Sequence, residues 1–329
     1  MKNIKLFLLL FILASLSLNS CKKDVNKSDN KVVPDLNNRY ISSIIIDESN
    51  IRWIGTDTGL FKSVANGYML EDIIPGNIIS LGYEKDSKTI WIGTNEGLLK
   101  ASIGTTEFTS SSIASSNLSN SSINVTYIDP ELKRWFGTNV GITMNKSDTY
   151  KKANFIYNVL GYLVPLDIED TKVNSIASWD GDFYFATSGK AIYRAYNFND
   201  SVDAFTGASQ LSVPYNGNAI SDTMFIVFVD SKGNQWMGGT NGIQVHSGHN
   251  SKSNNITYSS KLPNLHVHSI AEAPSGNIWV GTENGIAIFD GSTWTNNSTI
   301  LPDPFITAIA FDADGSAWVG TKKGLVNIK

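Results

Sequence analysis

One short phrase recurs seven times along this chain: a large aromatic residue, a small residue two places later, and usually a glycine four places after that. The copies read WIGTDTGL, WIGTNEGL, WFGTNVGI, the divergent YFATSGKAI, WMGGTNGI, WVGTENGI and WVGTKKGL. Their aromatic anchors lie 38 to 52 residues apart and are Trp53, Trp91, Trp135, Tyr184, Trp236, Trp279 and Trp318. That interval is the length of one four-stranded propeller blade. The repeats therefore predict an all-β fold, a seven-bladed β-propeller of four-stranded antiparallel blades.

Four of the repeats share a further pattern before the anchor. Apolar residues stand twelve and nine places ahead of it and an acid stands six places ahead, as in Ile306, Ile309 and Asp312 before Trp318. This pattern predicts an inner strand that ends in a turn, followed by the strand that carries the anchor. The glycine two places after the anchor lies on the same face of that strand and leaves room for the neighbouring blade.

The two ends of the repeat region suggest how the ring closes. The last repeat reaches Lys329 after its third strand, and residues 31–36 precede the first inner strand. We therefore predict a propeller over residues 31–329, with the N-terminal segment paired beside the last blade to close the ring and cover its open edge.

The residues before the repeats have the character of an export signal. Lys2 and Lys5 precede an apolar run over residues 6–18, which is too short to span a bilayer as a helix. The following Leu-Asn-Ser-Cys resembles the lipobox of bacterial lipoproteins. That resemblance implies a signal peptide over residues 1–20, acyl chains on Cys21 that bind the membrane, and a flexible tether over residues 21–30. It places the protein at the bacterial outer membrane, facing the periplasm or the cell surface. The alternative is a secreted protein with a free cysteine.

Composition excludes several classes of function. The chain has 26 basic and 30 acidic side chains, so it offers no basic field and no nucleic acid partner is predicted. Its hydrophobic content of 41% argues against disorder. It contains no G-x-S-x-G motif and no Walker loop, and it has one cysteine. We predict no cofactor, no metal and no catalytic residue set.

The full repeat, I-x-x-I-x-x-D-x-x-G-x-x-W-x-G-T-x-x-G-L, resembles the two-component regulator propeller repeat of the periplasmic sensors of hybrid histidine kinases. The resemblance covers residues 37–329. It implies an extracytoplasmic propeller for ligand sensing or protein contact. No kinase or DNA-binding segment follows the repeats in this sequence, so we expect a binding or sensing module for a glycan, peptide or protein partner.

Propellers usually place their sites where the inner strands begin, beside the loops that join the second and third strands. Polar residues in these loops, together with one histidine, form the predicted ligand-binding set: Asn95, Glu96, Asn139, Asn241, Glu283, Asn284, Lys322 and His266. Such residues suit hydrogen bonding to a polar ligand. The alternative is that they are favourable turn residues.

Long insertions flank the fourth repeat and contain aromatic residues, among them Tyr157, Tyr162 and Tyr215. Exposed aromatics stack on sugars or fill partner pockets, so these three complete the predicted set. The alternative places them in outer strands of a degenerate blade.

The histidines support a different hypothesis. His266 and His268 alternate at the start of one inner strand, and Glu272 or Glu283 would complete a two-histidine metal site. Streptogramin lyases are propellers with similar repeats that use histidine and acid near the channel, so a propeller lyase is the alternative function. A scaffold subunit of an envelope complex is a third hypothesis, which requires a broad apolar patch.

Overall fold

The computed structural model describes residues 32–103, 109–113, 118–146, 149–159, 162–165, 168, 171–189, 192–199, 204–210, 223–247, 255–297 and 301–329. These residues form seven β-sheets. The innermost strand of each sheet contacts the innermost strands of the two neighbouring sheets, and these contacts form a closed ring. The seven-bladed β-propeller is thus confirmed. The predicted signal peptide, Cys21, the tether and Tyr215 lie outside the described residues.

The strands of the first three blades follow one another from the channel outwards, except that β1 lies at the outer edge of blade one. Blade one contains β1 (Val32–Val33), β2 (Ile41–Ile46), β3 (Arg52–Thr56), β4 (Gly59–Val64) and β5 (Gly67–Pro75). Blade two contains β6 (Ile78–Glu84), β7 (Thr89–Thr94), β8 (Leu98–Ser102) and β9 (Thr109–Ile113). Blade three contains β10 (Ile123–Ile128), β11 (Arg134–Thr138), β12 (Ile142–Lys146) and β13 (Thr149–Lys152).

Blade four is the largest sheet and blade seven the smallest. Blade four contains β14 (Asn154–Val159), β15 (Tyr162–Pro165), β16 (Val173–Trp179), β17 (Asp182–Thr187), β18 (Ile192–Asn199) and β19 (Ala204–Gln210). Blade five contains β20 (Met224–Val229), β21 (Gln235–Gly239), β22 (Gly242–His246) and β23 (Asn255–Thr257), followed by a 3₁₀ helix (Ser259–Lys261). Blade six contains β24 (Val267–Glu272), β25 (Ile278–Thr282), β26 (Gly285–Phe289) and β27 (Trp294–Asn297). Blade seven contains β28 (Ile306–Phe311), β29 (Ala317–Thr321) and β30 (Gly324–Ile328).

The described residues contain no helix with the length and apolar character needed to cross a membrane.

The anchor tryptophans are fixed by the acids that precede them. Trp53 donates its indole N–H to Asp47 Oδ2 over 2.9 Å, and the other oxygen of that carboxylate accepts the backbone N–H groups of the following turn. The same indole–carboxylate bond holds four more anchors at 2.8 to 2.9 Å, from Trp91 to Glu84, Trp135 to Asp129, Trp236 to Asp230 and Trp318 to Asp312. One acid thus ties the second strand to the hairpin that precedes it.

The glycine two places after each tryptophan anchor faces the next blade, as predicted. A Cβ on Gly320 would lie 2.6 Å from Cγ2 of Ile41, and one on Gly281 would lie 2.5 Å from Cγ2 of Ile306. In both cases the contacted residue is the first of the neighbouring inner strand. The blades therefore pack too closely at these points for any side chain.

Ring closure differs from the prediction. β1 pairs with β5 of blade one, with Val33 opposite Tyr68, and blade seven keeps its three strands. The prediction that residues 31–36 pair beside the last blade is therefore wrong. Gly67 accounts for the pairing, because a Cβ there would lie 2.1 Å from the carbonyl oxygen of Val33. The N-terminal segment still reaches blade seven, where Asn38 donates its backbone N–H to the carbonyl of Lys323 over 3.0 Å.

Side chains close the ring between blades seven and one. Arg52 pairs with Asp312 over 3.2 Å, and its guanidinium carbon lies 4.4 Å from the centre of the Trp318 ring. The seam between blades two and three has the same arrangement, in which Arg134 binds Glu84 through two nitrogens and covers Trp91 at 5.2 Å. Each arginine directly precedes the anchor of its own blade and reaches the acid and anchor of the previous one.

The insertion before blade four is structural in part. β14 pairs with β15 and lies parallel to β19, so Tyr157 and Tyr162 belong to added outer strands, as the alternative interpretation predicted. Phe198, in β18, meets the Trp135 ring edge-on at 5.4 Å. The fourth anchor, Tyr184, has Ser178 six places ahead instead of an acid. Additional strands and aromatic rings thus accompany the loss of the indole–carboxylate bond in this blade.

We expect Arg52→Met to lower the free energy of unfolding by roughly 1–3 kcal/mol, because it leaves the buried Asp312 with less compensation. Thermal unfolding measures the loss, and hydrogen exchange should accelerate first in β2 and in β28 to β30. Lys85→Met is the control, since Lys85 is exposed in a hairpin turn. Equal stability of the two variants would show that the ring does not depend on this contact.

Candidate functional site

The inner strands share an irregularity where they begin. In every blade the register of pairing between the first two strands shifts around the second residue of the inner strand. A bulge of this kind leaves one residue unpaired and redirects its side chain. The seven bulge residues are Ser42, Ile79, Asn124, Asn174, Phe225, His268 and Thr307. All are half-buried, and they mark the end of the channel where the inner strands begin.

Blade six places two histidines against one acid at this end. Glu283, in the turn between β25 and β26, binds His266 Nδ1 through Oε2 and His268 Nε2 through Oε1, each over 3.1 Å. His266 directly precedes β24, and His268 is the bulge residue of that strand. The structure therefore brings together two predicted site residues, His266 and Glu283, and adds His268 between them and the channel.

Burial and hydrogen bonding set the charges of this cluster. Burial lowers the pKa of the His268 imidazole, and the hydrogen bond that the ring donates to Glu283 only partly opposes this shift. For Glu283, burial acts to raise the pKa, but the hydrogen bonds from His266 and His268 outweigh it and the pKa is lowered. At neutral pH the arrangement is therefore a carboxylate that holds a neutral His268.

An aromatic wall surrounds His268. Its ring stacks on Phe225 of blade five at 4.6 Å between centroids and lies 4.6 Å from Phe305, which directly precedes β28. The ammonium of Lys322, in the turn between β29 and β30, lies 3.5 Å from the centre of the Phe305 ring. Lys322 was a predicted site residue, whereas Phe225 and Phe305 were not predicted.

These six residues, Phe225, His266, His268, Glu283, Phe305 and Lys322, are called the mouth cluster here. It spans blades five to seven and combines a fixed carboxylate, a cation and aromatic faces. Polar tips on an apolar wall suit a ligand that offers both hydroxyl or amide groups and an apolar face.

Other predicted residues lie at the same end of their blades but in separate surroundings. Asn139 accepts a hydrogen bond from the Asn124 amide over 3.1 Å. Asn95 and Glu96 line a cavity of about 290 Å³ on blade two with Gly76. Asn241 is exposed, and its backbone carbonyl accepts a bond from Ser259.

Some residues of the predicted set also stabilise the turns in which they lie, through their backbone groups. The backbone N–H groups of Glu96 and Asn284 donate to the hydroxyls of Thr94 and Thr282, each over 3.1 Å. Each threonine hydroxyl in turn donates to the carbonyl of the glycine that ends its turn. The turn therefore depends on the threonine and on backbone groups, which leaves the side chains of Glu96 and Asn284 exposed to solvent.

The alternative of a two-histidine metal site has no support in the described residues, where no group of three or more histidine, cysteine or acidic side chains is arranged to hold an ion. Glu283 binds the two histidines directly. Glu272, the other proposed ligand, accepts bonds from Ser231. His246 ends β22, at the opposite end of its blade from the mouth cluster.

Comparison with known proteins supports the repeat assignment. Residues 261–284 and 300–323, in blades six and seven, match the family model described as two component regulator propeller. The resemblance of the repeats to that family is thus confirmed. A search of the curated protein sequences finds no match to this chain.

Solved structures share the fold. The extracellular domain of the hybrid two component system BT3049 from B. thetaiotaomicron has a TM-score of 0.68 and 19% identity, covering 88% of this chain and 40% of that one. The extracellular domain of the one component system BT4673 from B. thetaiotaomicron has a TM-score of 0.61 and 17% identity, covering 89% and 47%. Virginiamycin B lyase from Staphylococcus aureus has a TM-score of 0.66 and 12% identity, covering 90% and 97%. This chain thus spans less than half the length of the two sensor domains.

We expect the His268 ring to titrate below the ordinary histidine value, and Glu283→Gln to lower its pKa further. The carboxylate raises the pKa of His268 through its charge and its hydrogen bond, and glutamine removes the charge. Proton NMR of the histidine ring signals across the pH range measures both values. Glu96→Gln, an exposed acid in the corresponding turn of blade two, is the control. A higher His268 pKa in Glu283→Gln would contradict this electrostatic account.

Proposed function

We propose that this chain, which carries two-component regulator propeller repeats, acts outside the cytoplasm as a binding or sensing module for a glycan, peptide or protein partner. It needs no catalytic or kinase activity of its own for that role. The observation that carries the proposal is the mouth cluster, in which side chains of three blades meet at the end of the channel.

The chemistry of the cluster favours a polar ligand with a flat apolar face. Phe305 is half-buried and carries Lys322 on its face, and Glu283 is held as a carboxylate beside them. A sugar ring or a peptide side chain gains dispersion contact from the aromatic wall and directional bonds from the charged groups. The exposed predicted residues Asn139 and Asn241 add polar groups at the same end of blades three and five.

The proposed location is the bacterial outer membrane, with lipid on Cys21 and the propeller in the periplasm or at the cell surface. Its support is the leader and the Leu-Asn-Ser-Cys sequence. Two of the proteins with similar folds are extracellular domains of two component and one component systems. In this arrangement residues 21–30 tether the propeller to the membrane.

The scaffold hypothesis receives less support. Large hydrophobic side chains exposed within the described residues are spread over several blades: Val32, Tyr40, Leu132, Trp179, Ile256 and Leu265. A scaffold surface calls for a contiguous apolar patch.

We expect Phe305→Ala and Lys322→Ala to weaken ligand binding by roughly tenfold or more, the usual effect of removing a central interface residue. Glycan-array screening of the purified chain and affinity capture from the envelope fraction identify the ligand, and calorimetry with that ligand gives the affinities. Lys323→Ala is the matched control, because Lys323 neighbours Lys322 but pairs with Asp303. Equal binding by all three variants would exclude the mouth cluster as the binding site.

A second candidate function is elimination chemistry of the lyase type, favoured by the contact of His268 with Glu283. A neutral imidazole oriented by a carboxylate is the arrangement that general base catalysis requires. The fold is shared with streptogramin B lyase at a TM-score of 0.67 and 16% identity, over 91% of this chain and 95% of that one. The shared fold alone does not show that this chain has the same activity.

If the lyase hypothesis is correct, the purified chain will open the ring of virginiamycin B, and His268→Ala will abolish the reaction. Mass spectrometry of the antibiotic follows ring opening, in the presence and absence of added Mg²⁺. His246→Ala is the control, since His246 lies at the other end of its blade. An intact antibiotic with the wild-type chain would rule out this activity and leave the binding proposal standing.

A further inference from the structure

The seam between blades three and four departs from the two arginine seams. Arg52 and Arg134 directly precede the anchors of blades one and three, and each reaches the acid and anchor of the previous blade. In blade four the corresponding residue is Phe183, which lies 4.7 Å from Trp135 of blade three. The ring of Phe183 therefore covers the anchor, but it brings no cation to Asp129, the acid of blade three.

A cavity of about 560 Å³ opens beside Asp129 on this seam. Asp129 follows the last residue of β10, so the cavity lies at the opposite end of the blades from the mouth cluster. Its wall includes Glu131, Trp179, Asp180, Phe183 and Phe198. It is called the seam cavity here.

The short hairpin of blade four explains the space. Trp179 pairs directly with Asp182, and the two turn residues between them have positive φ angles, 50° for Asp180 and 80° for Gly181. This is the geometry of a tight two-residue hairpin. The corresponding turn of blade three is longer and runs from Asp129 to Lys133. Blade four thus ends earlier than its neighbour and leaves the seam open.

Trp179 gives the cavity a rigid aromatic wall. It is 37% exposed, although most large aromatic residues of the described chain are buried or half-buried. The indole lies against the turn of blade five, where a Cβ on Gly233 would lie 2.8 Å from Trp179 Nε1. Glycine at that position therefore allows the ring to rest on the turn while part of it faces solvent. An anchored, exposed indole is a suitable surface for stacking a planar cation.

The charges of the seam cavity favour a cation. Its lining carries four carboxylates and one lysine, Lys133, whose ammonium binds Glu131 over 2.6 Å. Asp182 is compensated by Arg194, which donates to it over 2.7 Å. The side chain of Glu131 is 71% exposed, so it remains accessible from solution. Carboxylates therefore outnumber cationic side chains on the lining by four to one.

The pKa of the acid is shifted in opposite directions at this seam and at the seam between blades two and three. Burial raises the pKa of Asp129, and the bonds from Trp135 and Lys133 do not reverse the shift. Burial acts in the same direction on Glu84, but there the bonds from Arg134 outweigh it and the pKa is lowered. At the seam between blades two and three, the guanidinium of Arg134 thus stabilises the carboxylate of Glu84.

We propose that the seam cavity binds a guanidinium group supplied from outside the chain, in the role that Arg52 fills between blades seven and one and Arg134 fills between blades two and three. The group would pair with Asp129 and Glu131 and stack beside Trp179. Its source is either a small guanidine or an arginine side chain of a partner peptide. This site is independent of the mouth cluster and of any ligand bound there.

The test uses Nα-acetyl-arginine amide and its neutral isostere, Nα-acetyl-citrulline amide, with the purified full chain. We expect calorimetry to show binding of the arginine compound and at least tenfold weaker binding of the citrulline compound. NMR titration should show the pKa of Asp129 falling when the arginine compound is saturating. Equal binding of the two compounds, or an Asp129 pKa that does not change, would overturn the proposal.

Three variants locate the site. Trp179→Ala and Glu131→Gln change exposed side chains and should weaken binding of the arginine compound about tenfold. Asp57→Asn is the control, because Asp57 is an exposed acid at the mouth end of blade one, away from the seam cavity. This variant should bind the arginine compound as the wild type does. Unaltered binding by both Trp179→Ala and Glu131→Gln, with unfolding temperatures equal to that of the wild type, would contradict the assignment.

Phe183→Arg supplies the missing cation within the chain. It should lower the pKa of Asp129 and prevent binding of the arginine compound. Because Phe183 packs on Trp135, the result is scored only when circular dichroism shows a folded protein, and otherwise Trp179→Ala decides. Comparing agmatine with an arginine-containing hexapeptide identifies the source: similar affinities indicate a small guanidine, and tighter peptide binding indicates a partner's side chain.

Discussion

The bond between an anchor indole and the acid six or seven residues earlier holds each regular blade in shape. Asp47 is an example in which one carboxylate fixes both the anchor and the turn. One oxygen accepts the indole N–H of Trp53, and the other accepts two backbone N–H groups of the turn. A buried carboxylate is tolerated because its oxygens have donors. The bond also orients the indole, so that its faces meet the neighbouring blade. Blade six has Ala273 at the acid position, and its anchor Trp279 is instead packed edge-on against Phe311 of blade seven.

Closing the ring places the same demand on every seam. Glycine after the anchor allows the first residue of the next inner strand to approach, and this holds between blades seven and one as it does elsewhere. Many propellers join first and last blades with a shared strand, but here β1 adds to blade one and β30 is the last strand of blade seven. Side-chain packing and the contact of Arg52 with Asp312 and Trp318 therefore carry the closure. Leu36 is buried in the same cluster and fills the seam from the N-terminal side.

The repeats made the blade count, the anchors and the seam glycines predictable, because each depends on a short pattern that recurs in the chain. The pairing of β1 was not predictable, since a two-residue strand of valines suits the edge of either blade and the choice depends on space above Gly67. His266 and Glu283 were predicted because His266 stands at the start of an inner strand and Glu283 lies in a loop that joins the second and third strands of a blade. Phe225 was missed, because its contact with His268 joins two blades and requires a bulge that an alternating pattern does not reveal.

The two ends of the propeller differ in how freely their residues can vary. At the hairpin end the acids are committed to the anchors, so a change there disturbs a blade unless packing compensates, as the contact of Trp279 with Phe311 does in blade six. At the mouth the turns depend on a threonine hydroxyl and backbone groups, so the intervening side chains are free of that structural role. Recognition is therefore expected to concentrate at the mouth. At the hairpin end it is expected where a seam is open, as between blades three and four, where the short hairpin of blade four leaves the seam cavity beside Asp129.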